Sequence, residues 1–286
     1  MAVIGRQPSP APMTAADAAS AVIPSVVSDK ANSSTGFFDL PAGTTAQRPG
    51  SPTSGNFRLN TTTGYLEYHN GAAWIEVTVF SPASISGLIG WYDMSTISGS
   101  NWNDKSGQAN HATLVNSPAV VTTSGNGASL LTQALHGSTI TQGVYWPSAI
   151  LPSNHTLFHV TRYTGSNNLR IYQTEGVNYL SGFWNGFSGV AYHNAWVTQS
   201  SSSVHGNNWV ISTDQWDTYR SNGISRKANN GGARSTARLA INAGSGLSEF
   251  GMWMTAECIV YNRELSTTEL QQVEQYLAAK YGIALG

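Results

Sequence analysis

The chain has 286 residues, with 14 Lys and Arg against 15 Asp and Glu, and only 10% of it is charged, where an ordinary soluble domain has about a quarter. A surface so poor in Lys and Arg excludes nucleic-acid binding by counterion release, and 40% hydrophobic with 10% aromatic content excludes a disordered chain. No apolar run approaches the ~18 residues of a membrane span, so membrane insertion is not expected.

In residues 1–40, Pro8, Pro10, Pro12 and Pro24 lie among Ala, Ser and Val without a period. Such a segment cannot bury enough surface to fold alone and reads as an extended attachment arm. Met1 to Pro12 lacks a basic stretch followed by an apolar one, so export by the usual secretory route is not expected.

Residues 41–80 change to short strands and turns. Asn56 to Asn60 alternates with period two, Thr62-Thr63-Gly64 turns, and Tyr65 to Tyr68 alternates again. Asn70-Gly71 is a two-residue hairpin signal, answered by Ala73 to Val77. A small β-meander follows, and one sheet of that size is marginal alone, so its apolar face needs another chain.

Residues 81–286 carry strand signals at Leu88–Tyr92, Leu157–Tyr163, Leu169–Gln173, Ala191–Val197, Trp209–Thr213, Arg238–Asn242 and Met252–Tyr261. Many short strands between Gly, Asn and Ser turns predict a mainly β fold, a sandwich. One helix is expected at the end. Ser266 to Glu269 forms a capping box, Leu265 can staple onto Leu270, and Leu270, Val273 and Leu277 make a stripe that stops at Gly282. This helix is expected on the rim of the sandwich. Cys258, the single cysteine, sits in an apolar run and reads as a buried thiol without a disulfide.

Gly87 to Asp93 with Asn101 to Thr113, and Ala256 to Ser266 with Val273 to Ile283, together resemble the opening and closing of concanavalin A-like, laminin G-like lectin and glucanase domains. That resemblance implies a jelly-roll sandwich, and it is less specific about ligand than about fold. Thr45 to Pro52 through Gly71 to Val77 is similar to a repeat of bacteriophage tail fibres, which there contributes strands to trimeric shafts or collars. The pair of resemblances implies a virion appendage on the particle surface: an arm that holds other virion proteins, a homotrimeric module, and a head that binds host cell-surface polysaccharide. A capsid decoration or collar protein with a purely structural sandwich is the alternative, and a polysaccharide-cleaving enzyme a weaker one.

Hydrolysis is not expected. The glucanase branch carries Glu, Asp and Glu at alternating strand positions, and no such triplet occurs here. Asp214 and Asp217 are read as flanking a turn beside Trp216, and Glu257 as a half-buried structural carboxylate sharing a face with Trp253, Thr255, Ile259 and Tyr261. The seven His are dispersed, so no zinc site is expected, nor any cofactor. Asp93 and Asp104 raise a calcium reading, set against a turn in which Asp104 bonds its own backbone. Arg220, Arg226, Lys227, Arg234 and Arg238 are read as a solvated basic loop.

Binding is better supported. A sugar offers hydroxyls around flat C–H faces, so its site combines an aromatic platform with neutral amides and hydroxyls. Tyr179 to Trp196 holds that inventory, spaced by Gly182, Gly186 and Gly189. The candidate glycan-binding residues are Trp184, Asn185, Tyr192, His193, Asn194 and Trp196, against the alternative that these aromatics are core.

Overall fold

Residues 40–77, 79–201, 204–244 and 247–286 are described by the structure, a computed structural model. The arm expected over residues 1–40 lies, but for Leu40, outside the described residues. The chain divides into two compact units between Val79 and Phe80.

The first unit is a sheet ordered β1 (Ala42–Gly43), β2 (Phe57–Asn60), β3 (Tyr65–His69) and β4 (Trp74–Glu76), with β1 joining in parallel. The turn at Asn70-Gly71 is a four-residue loop, 70–73, and not the two-residue hairpin expected, because the Asn70 side chain accepts from the amides of Ala72 at 2.9 Å and Ala73 at 2.8 Å. The two faces invert ordinary expectation. Arg58, Asn60, Glu67 and His69 are buried, while Phe57, Tyr68, Ile75 and Val77 are exposed. Glu67 is the centre of the buried face. Arg48 donates to it at 2.6 Å, Arg58 approaches to 3.6 Å, and Asn60 donates at 3.1 Å. The Arg48 hydrogen bond, working against burial, holds the Glu67 carboxyl below the usual carboxylate range.

The second unit runs through β5 (Leu88–Asp93), β6 (Ile97–Ser98), β7 (Asn101–Trp102), β8 (Ala112–Val115), β9 (Ala119–Gly125), β10 (Ala128–Gly137), β11 (Gly143–Tyr145) and β12 (Thr156–Tyr163). It continues with β13 (Tyr172–Glu175), β14 (Tyr179–Trp184), β15 (Phe187–His193), β16 (Val210–Gln215), β17 (Thr218–Ser221), β18 (Ile224–Ser225), β19 (Arg238–Ile241) and β20 (Trp253–Tyr261). The helix α1 (Thr267–Tyr281) ends it. One sheet is ordered β18-β17-β16-β12-β20-β10-β9, with β5 beside β10 along the same edge of β20. The facing sheet is ordered β15-β14-β13-β19-β11-β8-β7-β6. These make the expected sandwich, and its core holds a run of aromatics: Tyr92, Trp102, Trp146 and Tyr172 have successive ring centroids 5.7, 6.0 and 5.7 Å apart. His159 stacks on Tyr172 at 4.0 Å, and burial pushes its pKa down to about 3, so the ring is neutral in the core. The strand predicted at Leu169–Gln173 lies later, at Tyr172–Glu175, because Leu169 and Arg170 are engaged by Tyr163 and Phe250 instead.

α1 starts on the Ser266–Glu269 capping box and stops where Gly282 turns left-handed at φ 64°. It does not sit on the rim. Leu270, Val273 and Leu277 pack on Ala256, Phe158, Val160, Ile211 and Ile259, which cover the outer face of the first sheet. Strands buried on both faces need cover on both, and the helix supplies it here. A bulge opposite Val160 and Thr161 inserts an extra residue between Thr255 and Glu257. This overturns the expected face-sharing: Trp253 points into the sandwich core, whereas Glu257 points under the helix with Ile259 and Tyr261. Glu257 is fully buried there, not half-buried. It accepts from Trp91 Nε1 at 2.7 Å, Tyr281 at 2.7 Å, Lys280 at 2.8 Å and Tyr276 at 3.0 Å. Glu274 on the same helix is buried too, bonded to Arg220 at 2.7 Å and Thr213 at 2.8 Å.

Three of the basic residues read as a solvated loop are therefore held in ion pairs: Arg220 by Glu274, Arg234 by Asp217 and Glu264, Arg238 by Glu175. Asp104 is a turn organiser, accepting from the amides of Trp91 at 2.9 Å, Ser106 at 2.8 Å and Asn110 at 3.0 Å. Asp93 instead caps a short 3-10 turn through Ser95 and pairs with Lys105 at 2.8 Å and Lys280 at 3.3 Å. No group of three or more His, Cys, Asp or Glu placed to hold a metal occurs among the described residues.

Burial alone would raise the Asp93 pKa, but the Lys105 and Ser95 hydrogen bonds and the Lys280 charge outweigh it and bring it to about 2. An unfolded Asp titrates near 3.9, so the contribution is fully present above about pH 4 and is lost as pH falls toward 2. Asp93→Asn is expected to cost about 2 kcal/mol at neutral pH and to flatten the acid limb of stability between about pH 4 and 2. Urea unfolding at a series of pH values checks both; an unchanged acid slope overturns the assignment.

Candidate functional site

The helix covers one outer face of the sandwich, so the site has to be sought on the other. Opposed residues in neighbouring strands share a face. On the second sheet Tyr145 lies opposite Ala240, Ala240 opposite Gln173, Gln173 opposite Leu180, and Leu180 opposite Tyr192. Their chain neighbours Val144, Leu239, Tyr172 and Tyr179 point into the core, so this row points outward. Ala240, Gln173 and Leu180 in its middle are buried, while Tyr145 and Tyr192 at its ends are half-exposed.

The Tyr192 end is built by two turns. Asn185 and Gly186, at φ 49° and 81°, form the two-residue hairpin that joins β14 to β15. Asn194, at φ 55°, reverses the chain after β15. The expected strand Ala191–Val197 is thereby broken. His193 donates its amide to Ala195, Val197 donates back to Ala191, and Trp196 returns to lie opposite Tyr192. This reversal makes the aromatic corner. Trp196 meets Tyr192 edge-on at 5.2 Å and Trp184 edge-on at 5.3 Å, and all three rings are half-exposed. Trp184 Nε1 donates to Glu249 at 3.1 Å, which fixes its ring.

Of the candidate residues, the structure thus joins Trp184, Tyr192 and Trp196, with Asn185 exposed on the adjacent hairpin tip. Asn194 is exposed, but its amide donates to the Ala233 carbonyl at 2.9 Å and serves the turn. His193 has to be withdrawn as a ligand contact. Period two sends it inward from Tyr192, and it is completely buried, stacked on Tyr179 at 4.3 Å. Its Nδ1 lies 2.6 Å from the Trp216 carbonyl and so carries a proton, and Nε2 lies 3.0 Å from Asp214. Asp214 is accordingly a buried partner of His193, while Asp217 is exposed and paired with Arg234 at 2.6 Å.

Beside the aromatic corner lies a cleft of about 480 Å³ whose lining includes Arg170, Gln173, Glu175, Val177, Asn178 and Leu247. A chain of side-chain contacts links the two. Glu249, which holds Trp184, also pairs with Arg170 at 2.7 Å, and Arg170 donates to Asn178 at 2.8 Å. Sequence reasoning missed Arg170, Gln173 and Asn178, which lie within nine residues but form no recognisable motif, and Glu249, which comes from a distant segment.

No family model matches this chain, and no curated protein matches it. Among solved structures it is similar to a mutant of Trypanosoma rangeli sialidase displaying trans-sialidase activity, at 13% identity and TM-score 0.49, over 70% of this chain and 34% of that one. It is also similar to the binding domain of Paraclostridial mosquitocidal protein 1, at 13% identity and TM-score 0.47, over 69% of this chain and 53% of that one. A third is domain 4 of AbnA, a GH43 extracellular arabinanase from Geobacillus stearothermophilus in complex with arabinotriose, at 11% identity and TM-score 0.47, over 66% of this chain and 98% of that one. The chain thus spans about a third of the length of the sialidase.

A β-branched residue resists the left-handed conformation that Asn194 adopts, at about 1–2 kcal/mol, and would also lose the bond to Ala233. Asn194→Val is expected to lose about 2 kcal/mol of stability in urea unfolding and to weaken the near-ultraviolet circular dichroism of the coupled rings. An unaltered spectrum would show that the reversal does not set the corner.

Proposed function

We propose that the chain is a glycan-binding virion protein of a bacteriophage, a tail fibre or similar appendage whose sandwich recognises polysaccharide on the host surface. The observation that carries the binding reading is the corner of Trp184, Tyr192 and Trp196, three half-exposed rings outside the core. Aromatic faces with an adjacent amide, Asn185, match the C–H faces and hydroxyls of a sugar. Large aromatics spend little of their area on water without a reason when grouped on one outer face. The resemblance of residues 45–77 to a fibre repeat supports the virion assignment.

A binding role is favoured over hydrolysis by the state of the carboxylates. Glu257 and Asp214 are sealed from solvent and bonded to protein groups, so a glycosidic bond cannot reach them. The test is binding of the full-length protein to a panel of bacterial surface polysaccharides. Saturable binding is expected, falling at least about tenfold in Trp184→Ala with the unfolding midpoint nearly kept. A folded protein that binds none of them would leave the purely structural reading, a decoration or collar element.

The small sheet supports association into a homotrimer. Phe57, Leu59, Leu66, Tyr68, Ile75 and Val77 share one face by register, and none of them is buried. Its other face is closed by the Glu67 ion pairs, so an apolar partner is needed on this one alone. Three copies on one shaft would raise the avidity of shallow sites through effective concentration. Light scattering is expected to give three times the chain mass, and Ile75→Asp to give a monomer whose sandwich stays folded. A monomeric parent protein would overturn the trimer.

A further inference from the structure

We infer that the cleft beside the aromatic corner is a subsite for the acetamido group of a 2-acetamido sugar, with Gln173 as the residue that selects it. This rests on the glycan-binding reading and deepens it. Gln173 lies in the outward row of the second sheet, is 2% exposed, and lines the cleft. Its Nε2 has no hydrogen-bond partner among the described residues and is itself sealed from solvent, so a ligand oxygen meets it once the side chain turns into the cleft. A buried donor without an acceptor costs about 1–3 kcal/mol, so a protein that keeps one beside a cleft holds a site for an acceptor oxygen.

Charge selects which acceptor. Arg170 is paired with Glu249 at 2.7 Å, and Glu175 is approached by Arg238 at 3.4 Å and bonded by Tyr145. Each cation on the cleft wall is thus matched by an anion, and no net charge is left to attract a carboxylate or an ammonium group. The ligand group must be neutral. Val177, which also packs on the sandwich core, and Leu247 are the apolar residues of the cleft lining. A neutral carbonyl next to a methyl is the acetamido group: its oxygen accepts from Gln173, and its methyl lies against Val177 and Leu247. A 2-hydroxyl fills neither part as well, being a weaker acceptor without a methyl. The cleft's volume of about 480 Å³ lies within the range of small-ligand pockets. Glu249 bonds both Trp184 of the aromatic corner and Arg170 of the cleft wall, so in this proposal a sugar ring rests on the corner while its substituent enters the cleft.

The experiment uses the full-length protein against immobilised glycan pairs that differ only at carbon 2. These are chitotetraose against cellotetraose, and N-acetylgalactosamine against galactose. Three proteins are compared: the parent, Gln173→Met and Trp184→Ala, each first shown to be folded by thermal unfolding. Met keeps the length of Gln without its donor, and no existing protein hydrogen bond of Nε2 is lost. The parent is expected to prefer the acetamido member of at least one pair by about tenfold, the worth of one well-made hydrogen bond with its methyl contact. Gln173→Met is expected to bring that ratio near one while weak binding to both members persists, and Trp184→Ala to lose binding to both. A parent ratio near one, or a ratio kept in Gln173→Met, would overturn the subsite and leave the glycan-binding reading standing. Binding only to polysaccharides that lack acetamido sugars would do the same. Absence of binding to any glycan of the pairs or of the polysaccharide panel would remove the reading beneath it and the subsite with it.

Discussion

Glu257 is the constraint on which the larger unit depends. One carboxylate, sealed from water, gathers Trp91 from β5, its own position on β20, and Tyr276, Lys280 and Tyr281 from α1. A buried charge is tolerable only when its lone pairs are filled and an opposite charge is near, and this cluster meets both conditions. Geometry that satisfies so many donors at once admits one seating of the helix on the sheet. Glu274 repeats the device within two turns on the N-terminal side, through Arg220 and Thr213. Apolar packing of Leu270, Val273 and Leu277 supplies most of the attraction, but a smooth apolar stripe would slide, and the two carboxylates fix its register.

Seating the helix decides where a ligand can go. A two-layer sandwich has two outer faces, and α1 removes the first from contention. No helix of the described residues covers the second, yet it is not uniformly open. Along the row through Gln173 the middle residues Ala240, Gln173 and Leu180 are buried, while Tyr145 and Tyr192 on either side meet solvent. The aromatic corner and the cleft beside Gln173 both belong to this sheet. The charged pair Arg170 and Glu249 matters out of proportion to its worth in stability, because through Trp184 it links these two features.

Local signals carried far in this chain, and long-range ones did not. The C-terminal helix, its capping box, its Gly282 stop and the presence, though not the length, of the turn at Asn70-Gly71 were legible because each is governed by neighbours within four residues. The sandwich was legible from recurrent strands between turns. The break after His193 was not, because Ala191 to Val197 alternates well enough to pass for a strand, and only the left-handed Asn194 reverses it. That one torsion both rescued Trp196 as a surface residue and left His193 inside. The bulge at Ala256 likewise moved Glu257 to the other face without any mark in the sequence. The cleft is lined mostly by residues 170–178, a local stretch, but it closes only when the segment before β20 brings Leu247 beside it and Glu249 against Arg170.

The scarcity of charge joins these observations. Glu67, Asp93, Asp214, Glu257 and Glu274 are all buried and paired, so much of the small acidic complement is used inside the molecule. What faces water at the candidate site is aromatic rings, amides and ion pairs already matched to each other. Such a surface exerts little long-range field, so a ligand is not steered to it and salt has little to screen. Its discrimination must come from short-range shape and hydrogen bonding, which a neutral polysaccharide offers in dense, repeated form. The repeated ligand proposed and an unsteered, shallow site would together favour a protein presented in several copies, and among the described residues of the first unit the exposed apolar face of the small sheet is a surface suited to such association.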